Sequence, residues 1–375
     1  MMRIVVVTRD NVQRLAETAR SLVESGIDGS SVLIVDDSPS DISIARNRLA
    51  VERAFERTPQ ILSRRRHEEI LSCLPAEARR CLGGYFELGK PGWNTYAARN
   101  VGLLWTARRL GGRRRLWLDD DVEVSLNVVR LASKTPRGCI SAFPLVGLPD
   151  FSRTRWISIF LSCIDAATPI EEAAPRAALL LAHTDLDVPI DASPVPVGPF
   201  PLPWNAAHGA AFATNIALGS TPLYPPFRGE DYFWHRRLLD LGVRRVRCGA
   251  SVKHLGRRRE LLSAPLFVGE ELGAIQATCL RLVLANPNLN VRKTLVTLTA
   301  RRCRELGVLS STAARMVAAS ACGQAARRVV DLLDGVKEVL SSRQVSENAT
   351  EQVAESLHAN AAWLRAGTSR MARPA

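Results

Sequence analysis

Three carboxylates stand in a row at Asp119, Asp120 and Asp121, directly after the apolar run Leu116-Trp117-Leu118. Like charges this close together repel one another, so the cluster is costly unless a cation neutralises it. Mg²⁺ and Mn²⁺ prefer oxygen ligands, and proteins commonly hold them with one or two carboxylates together with the phosphates of a substrate. The triplet therefore predicts a divalent metal site, and the alternative interpretation is a solvated acidic turn.

A second acidic pair, Glu230-Asp231, follows Gly229 at the start of a predicted helix that ends at Gly242. Carboxylates at a helix start interact favourably with the helix dipole, so a purely structural cap is the alternative to a catalytic role. A lone histidine, His254, follows a short predicted strand and is either a ligand or a structural residue. Each of these two signals is ambiguous by itself.

The residues before position 41 predict a strand, a helix and a second strand. Residues 4–7 form a continuous β-branched run of the kind that is buried on both faces of a parallel sheet. Apolar side chains then recur at helical spacing up to Gly26, and a second apolar run stops at Asp36-Asp37. In such a β-α-β unit, ligands bind beyond the carboxyl ends of the strands, where Thr8 and Asp36-Asp37 lie.

The rest of the chain divides into two regions. We predict a catalytic domain over residues 1–262, with a helical insertion at about 42–90 and a proline-rich, acceptor-side loop at about 140–205. Beyond it, Ala, Leu and Arg recur at helical spacing, so residues 263–375 are predicted to form a C-terminal helical region. This region could form a homodimer, pack on the catalytic domain, or bind an acceptor or a membrane surface.

Length and composition limit the classes of protein. The chain has 375 residues, which suits two domains or one large domain with an extension. With 46% hydrophobic and 23% charged residues, it is not collagen-like, disordered or a disulfide scaffold. Eight cysteines without a C-x-x-C pair predict a reduced protein with buried thiols. No apolar run reaches the roughly eighteen residues of a membrane span, and no signal peptide is evident, so we predict a cytoplasmic protein without a transmembrane segment.

The net charge of +13 first suggests a nucleic-acid partner, because Lys and Arg neutralise phosphates. The basic residues are almost all arginines, however, and they are spread in short runs without the aromatic residues that stack on bases. We therefore predict no nucleic-acid partner. The excess positive charge remains compatible with a small ligand that carries phosphate.

In their order along the chain, these motifs resemble those of GT-A glycosyltransferases, specifically the family-2-like group. The matching segments are Val5-Val6-Val7-Thr8, Asp36-Asp37-Ser38-Pro39-Ser40-Asp41, Ala98-Arg99-Asn100-Val101-Gly102, Asp119-Asp120-Asp121 and Glu230-Asp231. The resemblance ends near Gly256 and implies an α/β fold: a Rossmann-like, mixed and mostly parallel central sheet flanked by helices, followed here by a C-terminal α-helical extension. The chain departs from the family after Thr8, where Arg9-Asp10-Asn11 replaces the usual aromatic residue and asparagine.

The resemblance also implies a role for each matching residue. Contacts to the donor, a UDP- or GDP-sugar, are implied for Thr8, Asp36, Asp37, Arg99, Asp119 and Asp120. Ligands to Mn²⁺ or Mg²⁺ are implied at Asp119, Asp121 and His254. The implied general base of an inverting reaction is Asp231, with Glu230 as the second choice. The acceptor region lies between these motifs, and the expected contacts there are Trp204 and His208, each with a structural role as the alternative.

These implications together predict a metal-dependent glycosyltransferase that moves a sugar from a nucleotide-diphosphate donor to an acceptor nucleophile. A nucleotidyltransferase is one alternative, but the glycine-rich phosphate loop expected after Val7 is absent from the sequence. A catalytically inactive GT-A scaffold that acts as a binding protein is the other, although Asp119, Asp121 and Asp231 are all present.

Overall fold

A computed structural model describes residues 2–74, 76–91, 95–110, 113–143, 145–147, 211–217, 221–255, 264–318 and 323–368 of the chain. These residues fold into two compact units. The sheet unit comprises the described residues of 1–149, 198–256 and 355–375, and the helical unit comprises the described residues between 257 and 354.

All the strands among the described residues belong to the sheet unit. In chain order they are β1 (Arg3–Thr8), β2 (Val32–Asp36), β3 (Gln60–Leu62), β4 (Arg114–Asp119), β5 (Val122–Glu123), β6 (Cys139–Ala142), β7 (Leu145–Gly147), β8 (Ala211–Asn215), β9 (Arg244–Arg247) and β10 (Val252–His254). Seven of them form the main sheet in the order β3-β2-β1-β4-β8-β6-β9, in which β8 runs antiparallel to both of its neighbours and the other pairs are parallel. The remaining three form a small sheet in the order β5-β10-β7.

The helices of the sheet unit are α1 (Val12–Glu24), α2 (Asp41–Ala54), α3 (His67–Ser72), α4 (Ala76–Leu82), α5 (Thr95–Arg108), α6 (Leu126–Ser133) and α7 (Glu230–Asp240). Four longer helices follow, namely α8 (Ala264–Ala285), α9 (Val291–Ala318), α10 (Gly323–Ser341) and α11 (Arg343–Thr368). Residues 343–354 of α11 belong to the helical unit, whereas residues 355–368 belong to the sheet unit. None of the helices described is both long and apolar enough to cross a membrane.

Strand β1 is buried on both faces, as its continuous apolar run predicts. Val5 and Val7 belong to a core that includes residues of α5, whereas Ile4 and Val6 belong to a second core that includes residues of α1. Successive side chains of a strand point to opposite faces, so helices must cover both sides of the sheet. The mixed, mostly parallel sheet with flanking helices and further helices toward the C-terminus confirms the expected fold class.

Two expected segments contain more sheet than the sequence suggests. Within the segment expected to be a helical insertion at about 42–90, strand β3 pairs in parallel with β2 at the edge of the main sheet, so the segment is not helical throughout. The first part of the expected acceptor-side loop forms β6 and β7, and the greater part of that loop lies outside the described residues.

The carboxyl ends of β1, β2 and β4 share one edge of the main sheet because the three strands are parallel neighbours. Thr8 is paired with Asp36, and Val7 is paired with Asp119. The strand register by itself therefore brings the ends of three motifs side by side.

Candidate functional site

The end of β1 is tied to the acidic triplet through Asp120. Its buried carboxylate accepts hydrogen bonds from Thr8 Oγ1 at 2.6 Å, from Asn11 Nδ2 at 3.1 Å and from the Arg9 backbone N–H at 3.3 Å. The backbone carbonyl of Asp120 also accepts from Thr18 Oγ1 at 2.9 Å. Thr8 and Asp120 thus lie together, and their contacts hold the ends of β1 and β4 in a defined relative position.

Asp36 is buried at the end of β2 and is enclosed by the turn that follows. Its Oδ1 accepts from the Ser38 backbone N–H at 2.9 Å, and its Oδ2 accepts from Asn47 Nδ2 of α2 at 3.1 Å. Burial raises the pKa of Asp36 above its ordinary value, although both hydrogen bonds act in the opposite direction. These contacts shape the turn that presents the next residue, Asp37.

Asp37 joins three segments of the chain. Its Oδ2 forms an ion pair with Arg9 Nη1 at 2.8 Å, and its Oδ1 accepts from the Gly89 backbone N–H at 2.7 Å. Arg9 also donates from Nη2 to the carbonyl of Lys90 at 2.7 Å. Gly89 has a φ of 78°, a conformation that side-chain-bearing residues rarely adopt. Arg9 therefore connects the end of β1 to the end of β2 and to residues 89–90.

Arg99, on α5, is a buried cation close to acidic residues at the carboxyl edge of the main sheet. It is 5% exposed, and its Nη2 donates to Asp119 Oδ1 at 3.2 Å. Burial by itself lowers the pKa of Arg99, but the charges of Asp119, Glu230 and Asp231 outweigh that effect, so the pKa is raised above its ordinary value. Its Nη1 is buried and has no hydrogen-bond partner among the residues that the structure describes. Two acidic motifs far apart in sequence therefore act on one guanidinium.

Gly102 explains how α5 brings Arg99 so close to the strand ends. A Cβ atom at this position would lie 2.9 Å from Val5 Cγ1 and 3.0 Å from Trp117 Cζ3. Arg99 lies three residues earlier, on the same face of the helix. The glycine of the A-R-N-x-G motif thus has a structural reason, because a larger residue would push this face of α5 away from the sheet.

Tyr224 is a residue of this site that the sequence analysis missed. The guanidinium of Arg99 lies over its ring, with Cζ 5.6 Å from the ring centroid, and Trp234 stacks on the ring at 4.9 Å. Asn100 holds its backbone, since Oδ1 accepts from the Tyr224 N–H at 2.9 Å and Nδ2 donates to the Tyr224 carbonyl at 3.0 Å. Burial raises the pKa of Tyr224 well above its ordinary value, so its phenol stays protonated. The sequence shows Asn100 within a motif but contains no signal for its partner.

Glu230 and Asp231 begin helix α7. The preceding Gly229 has a φ of 81°, so the turn into the helix uses the left-handed conformation that favours glycine. Glu230 is 2% exposed, whereas Asp231 is partly exposed, with its Oδ1 accepting from the Tyr232 backbone N–H at 2.7 Å. Of the two residues, Asp231 is therefore the more exposed.

The two outer carboxylates of the triplet differ in exposure. The side chain of Asp119 is 26% exposed, and Asp121 is buried. The backbone of His254 lies close to that of Asp121, because His254 pairs with Val122 between β5 and β10 and the Leu255 N–H donates to the Asp121 carbonyl at 2.7 Å. Among the side chains that the structure describes, no group of three or more His, Cys, Asp or Glu residues is arranged to hold a metal ion. A cation here would use the two carboxylates together with donors beyond that set.

Three expected contacts fall partly or wholly outside the description. Trp204 and His208 lie outside the described residues, and only the backbone of His254 is described. Most of the other expected site residues lie along the carboxyl edge of the main sheet or at the start of α7, and Arg99 reaches that edge from α5.

No protein-family model matches the chain, and no curated protein matches it. Among solved structures, it is similar to a mannosyltransferase from Pyrobaculum calidifontis in complex with GDP-Man and Mn²⁺, at 11% identity over 98% of this chain and 86% of that chain, with a TM-score of 0.44. It is also similar to glucosyl-3-phosphoglycerate synthase from Mycobacterium tuberculosis in complex with phosphoglyceric acid, at 15% identity over 75% and 79% of the two chains, with a TM-score of 0.40. A third similar structure is S. aureus TarS 1–349 in complex with UDP-GlcNAc, at 12% identity over 90% of each chain, with a TM-score of 0.40.

Proposed function

We propose that this chain is a glycosyltransferase that moves a sugar from a nucleoside diphosphate to an acceptor nucleophile. The observation that carries the proposal is the meeting of three motifs at one buried guanidinium: Arg99 pairs with Asp119, and the charges of Asp119, Glu230 and Asp231 raise its pKa against the effect of burial. Transfer from a diphosphate needs a group that binds phosphate, which an arginine can do. It also needs carboxylates that can bind a metal ion and accept a proton.

Arg99 is our candidate for the diphosphate contact. A guanidinium matches phosphate oxygens in a bidentate way, and its hydrogen bonds to an anion are among the strong ones. The Nη1 group of Arg99 is buried and lacks a hydrogen-bond partner among the described residues, so a phosphate oxygen would satisfy it. Before the substrate binds, the protein thus holds the N–H group of Arg99 Nη1 in position. Negative charge that develops on the leaving group would strengthen a hydrogen bond from this N–H group.

Asp119 and Asp121 are our candidates for holding a divalent cation, with His254 as a third ligand. Two carboxylates fit Mg²⁺ or Mn²⁺, because these ions commonly take their remaining ligands from substrate phosphates and water. When bound, such a cation stabilises the negative charge of the departing diphosphate. Asp119 would then contact both the cation and Arg99, and this pairing would link the two positive groups that receive the diphosphate.

Asp231 is our candidate for the general base. Its partial exposure supports this choice over Glu230, which is buried. In the proposed step the acceptor O–H gives its proton to the Asp231 carboxylate while its oxygen bonds to the anomeric carbon. The bond between that carbon and the diphosphate breaks, and its electron pair stays on the leaving oxygen. A single displacement of this kind inverts the anomeric configuration.

Arg9 is our candidate for a contact to the uridine or guanosine part of the donor, because its side chain is about a quarter exposed at the strand edge. Asp37, whose side chain is buried, is our candidate for orienting Arg9 through their ion pair. Hydrogen bonds to protein groups instead occupy polar side-chain atoms of Thr8, Asp36 and Asp120. We assign these three residues to positioning the strand ends.

The test combines nucleotide binding with turnover. We expect Mn²⁺ together with UDP or GDP to raise the melting temperature of the wild-type protein, since a ligand that binds only the folded state stabilises it by about 2.7 kcal/mol at a hundredfold its Kd. The Asp231→Asn variant should keep this stabilisation and release nucleoside diphosphate from the matching sugar donor about 10²–10⁴-fold more slowly, the usual contribution of a general base. Asp240→Asn, an exposed carboxylate at the other end of α7, should change neither quantity.

Several outcomes would contradict the proposal. An Asp231→Asn variant with wild-type turnover would exclude Asp231 as the base. Nucleotide binding without turnover of any UDP- or GDP-sugar would favour an inactive scaffold, and release of inorganic diphosphate from a nucleoside triphosphate would favour a nucleotidyltransferase. A product that retains the donor's anomeric configuration would exclude the single displacement.

A further inference from the structure

The segment of residues 221–224, between β8 and α7, is buried and lies outside every strand. Thr221, Leu223 and Tyr224 are each 0% exposed. Buried backbone groups need hydrogen-bond partners, and a segment outside the sheet must find them among side chains. Asn100 of α5 holds both backbone groups of Tyr224, and Trp234 Nε1 of α7 donates to the carbonyl of Pro222 at 2.9 Å.

Two further partners of this segment come from the end of α11. Asn360 Oδ1 accepts from the Leu223 backbone N–H at 2.9 Å, and Trp363 Nε1 donates to the Thr221 carbonyl at 2.8 Å. The four residues that form these two hydrogen bonds are all buried. Helix α11 therefore supplies two hydrogen bonds to the segment, in addition to the three from Asn100 and Trp234.

The end of α11 is itself held within the sheet unit. Asn360 Nδ2 donates to the Ser356 carbonyl at 2.9 Å, and the ring of Trp363 lies 5.8 Å from that of Phe86. The Tyr85 hydroxyl donates to Ser356 Oγ at 3.3 Å. Asn360 and Trp363 thus have defined orientations, so they can act as fixed partners for the segment.

We propose that the end of α11, residues 355–368, is a positioning element of the candidate site. Asn360 and Trp363 hold the segment of residues 221–224, and the segment holds the Tyr224 ring under the guanidinium of Arg99. The inference rests on the proposed function, since its consequence is a change in nucleotide binding. The chain leaves the sheet unit after Gly256 and returns at Glu355, so α11 brings these contacts to the site from a distant part of the sequence.

Two variants of the full chain remove these contacts one at a time. Asn360→Ala deletes the acceptor for Leu223, and Trp363→Phe deletes the donor to Thr221 while it keeps an aromatic ring next to Phe86. Tyr85→Phe is the matched control, because it deletes a hydrogen bond to α11 that does not involve residues 221–224. Each variant is compared with the wild type by calorimetric binding of UDP and GDP with Mn²⁺ and by amide hydrogen exchange, at a temperature where it is fully folded.

We expect Asn360→Ala and Trp363→Phe to weaken nucleotide binding at least about fivefold and to speed amide exchange at Leu223 and Tyr224, with exchange in β1 and β4 unchanged. Tyr85→Phe should retain both wild-type values. Wild-type affinity in both α11 variants despite faster local exchange would overturn the inference, as would unchanged exchange at residues 223–224. Equal acceleration throughout the sheet would show a merely structural role and would overturn it too.

The same experiment separates this inference from the proposed function. If the wild-type protein binds neither nucleotide, the proposed function fails, and the role of α11 at a nucleotide site fails with it. If the wild type binds and the α11 variants bind equally well, the proposed function stands and only the positioning role is wrong.

Discussion

The sheet unit and the helical unit each contain a largely buried arginine, and the two differ in how fully they are paired. In the helical unit, Arg302 donates to both neighbouring acids, from Nη2 to Glu271 Oε1 at 2.7 Å and from Nη1 to Glu305 Oε2 at 2.9 Å, and its Nε also donates to Glu271. In the sheet unit, Arg99 donates only from Nη2 to Asp119 among the described residues, and its Nη1 lacks a hydrogen-bond partner.

Under the proposed function, Arg302 is a buried charge that serves structure, and Arg99 is one that serves binding. A buried charge is tolerated when its hydrogen-bonding groups are satisfied, and Arg302 meets this condition within its own unit. Arg99 meets it only in part, although three carboxylates raise its pKa against the effect of burial. This incomplete bonding supports our proposal that Arg99, and not Arg302, binds the ligand.

Replacing each arginine by methionine gives the largest expected contrast. Arg99→Met should weaken Mn²⁺-dependent nucleotide binding about 10–100-fold, because a hydrogen bond to a charged group contributes about 1.5–3 kcal/mol. Arg302→Met should leave that affinity unchanged and lower the free energy of unfolding by about 1–3 kcal/mol, since Glu271 loses its partner. Calorimetric titration and urea unfolding measure the two quantities. Equal loss of nucleotide affinity in both variants would remove the distinction between the arginines.

Two glycine-to-alanine substitutions should change stability in opposite directions. Gly102→Ala places a Cβ 2.9 Å from Val5 and should lower the free energy of unfolding by about 1–3 kcal/mol, as overpacking does. Gly335→Ala, inside α10, meets no atom within 4 Å and should raise that free energy by about 0.5–1 kcal/mol, because alanine favours the helix. Denaturant unfolding checks both signs. A neutral Gly102→Ala variant would refute the close approach of α5 to the sheet.

The smallest effect is an opposite pH response of two carboxyls. Burial alone raises the pKa of Glu305, but hydrogen bonds from Arg302 and Arg301 outweigh it, so the pKa is lowered and the stabilisation is lost as the pH falls through that value. Burial raises the pKa of Asp36, so the contribution of this carboxyl group to folding stability is present at low pH and is lost as the pH rises.

Between pH 7 and pH 3, we therefore expect the stability advantage of the wild type over Glu305→Gln to shrink. That advantage is at most about 1 kcal/mol at pH 7, because the side chain of Glu305 is 42% exposed. The trend for Asp36→Asn should be the opposite: the stability of this variant relative to the wild type should increase as the pH rises. Melting temperatures across this pH range test both trends, and parallel trends in the two variants would contradict the assignment.

Much of the fold could be predicted because its signals are local. The apolar run of β1, the helical spacing of α1 and the run of β2 each lie within a few residues, and their periodicity reflects burial on one or both faces. Strand β3 escaped prediction because it has only three residues and lies between helix-prone segments. The division of α11 between the two units could not be predicted either. The pattern of a helical sequence shows which residues are apolar but does not show what they pack against.

For the candidate site, the sequence by itself determined which residues carry chemistry: the acidic triplet, Glu230-Asp231 and Arg99 are visible as types at a spacing. The common edge of Thr8, Asp36 and Asp119 followed from parallel strands. Only the tertiary structure decided that Tyr224 lies under Arg99 and that Asn360 and Trp363 hold its segment. These contacts join side chains to the backbone of distant residues, and a backbone carbonyl or N–H is the same at every residue except proline. No residue type marks such a partner in the sequence, so only the folded chain identifies it.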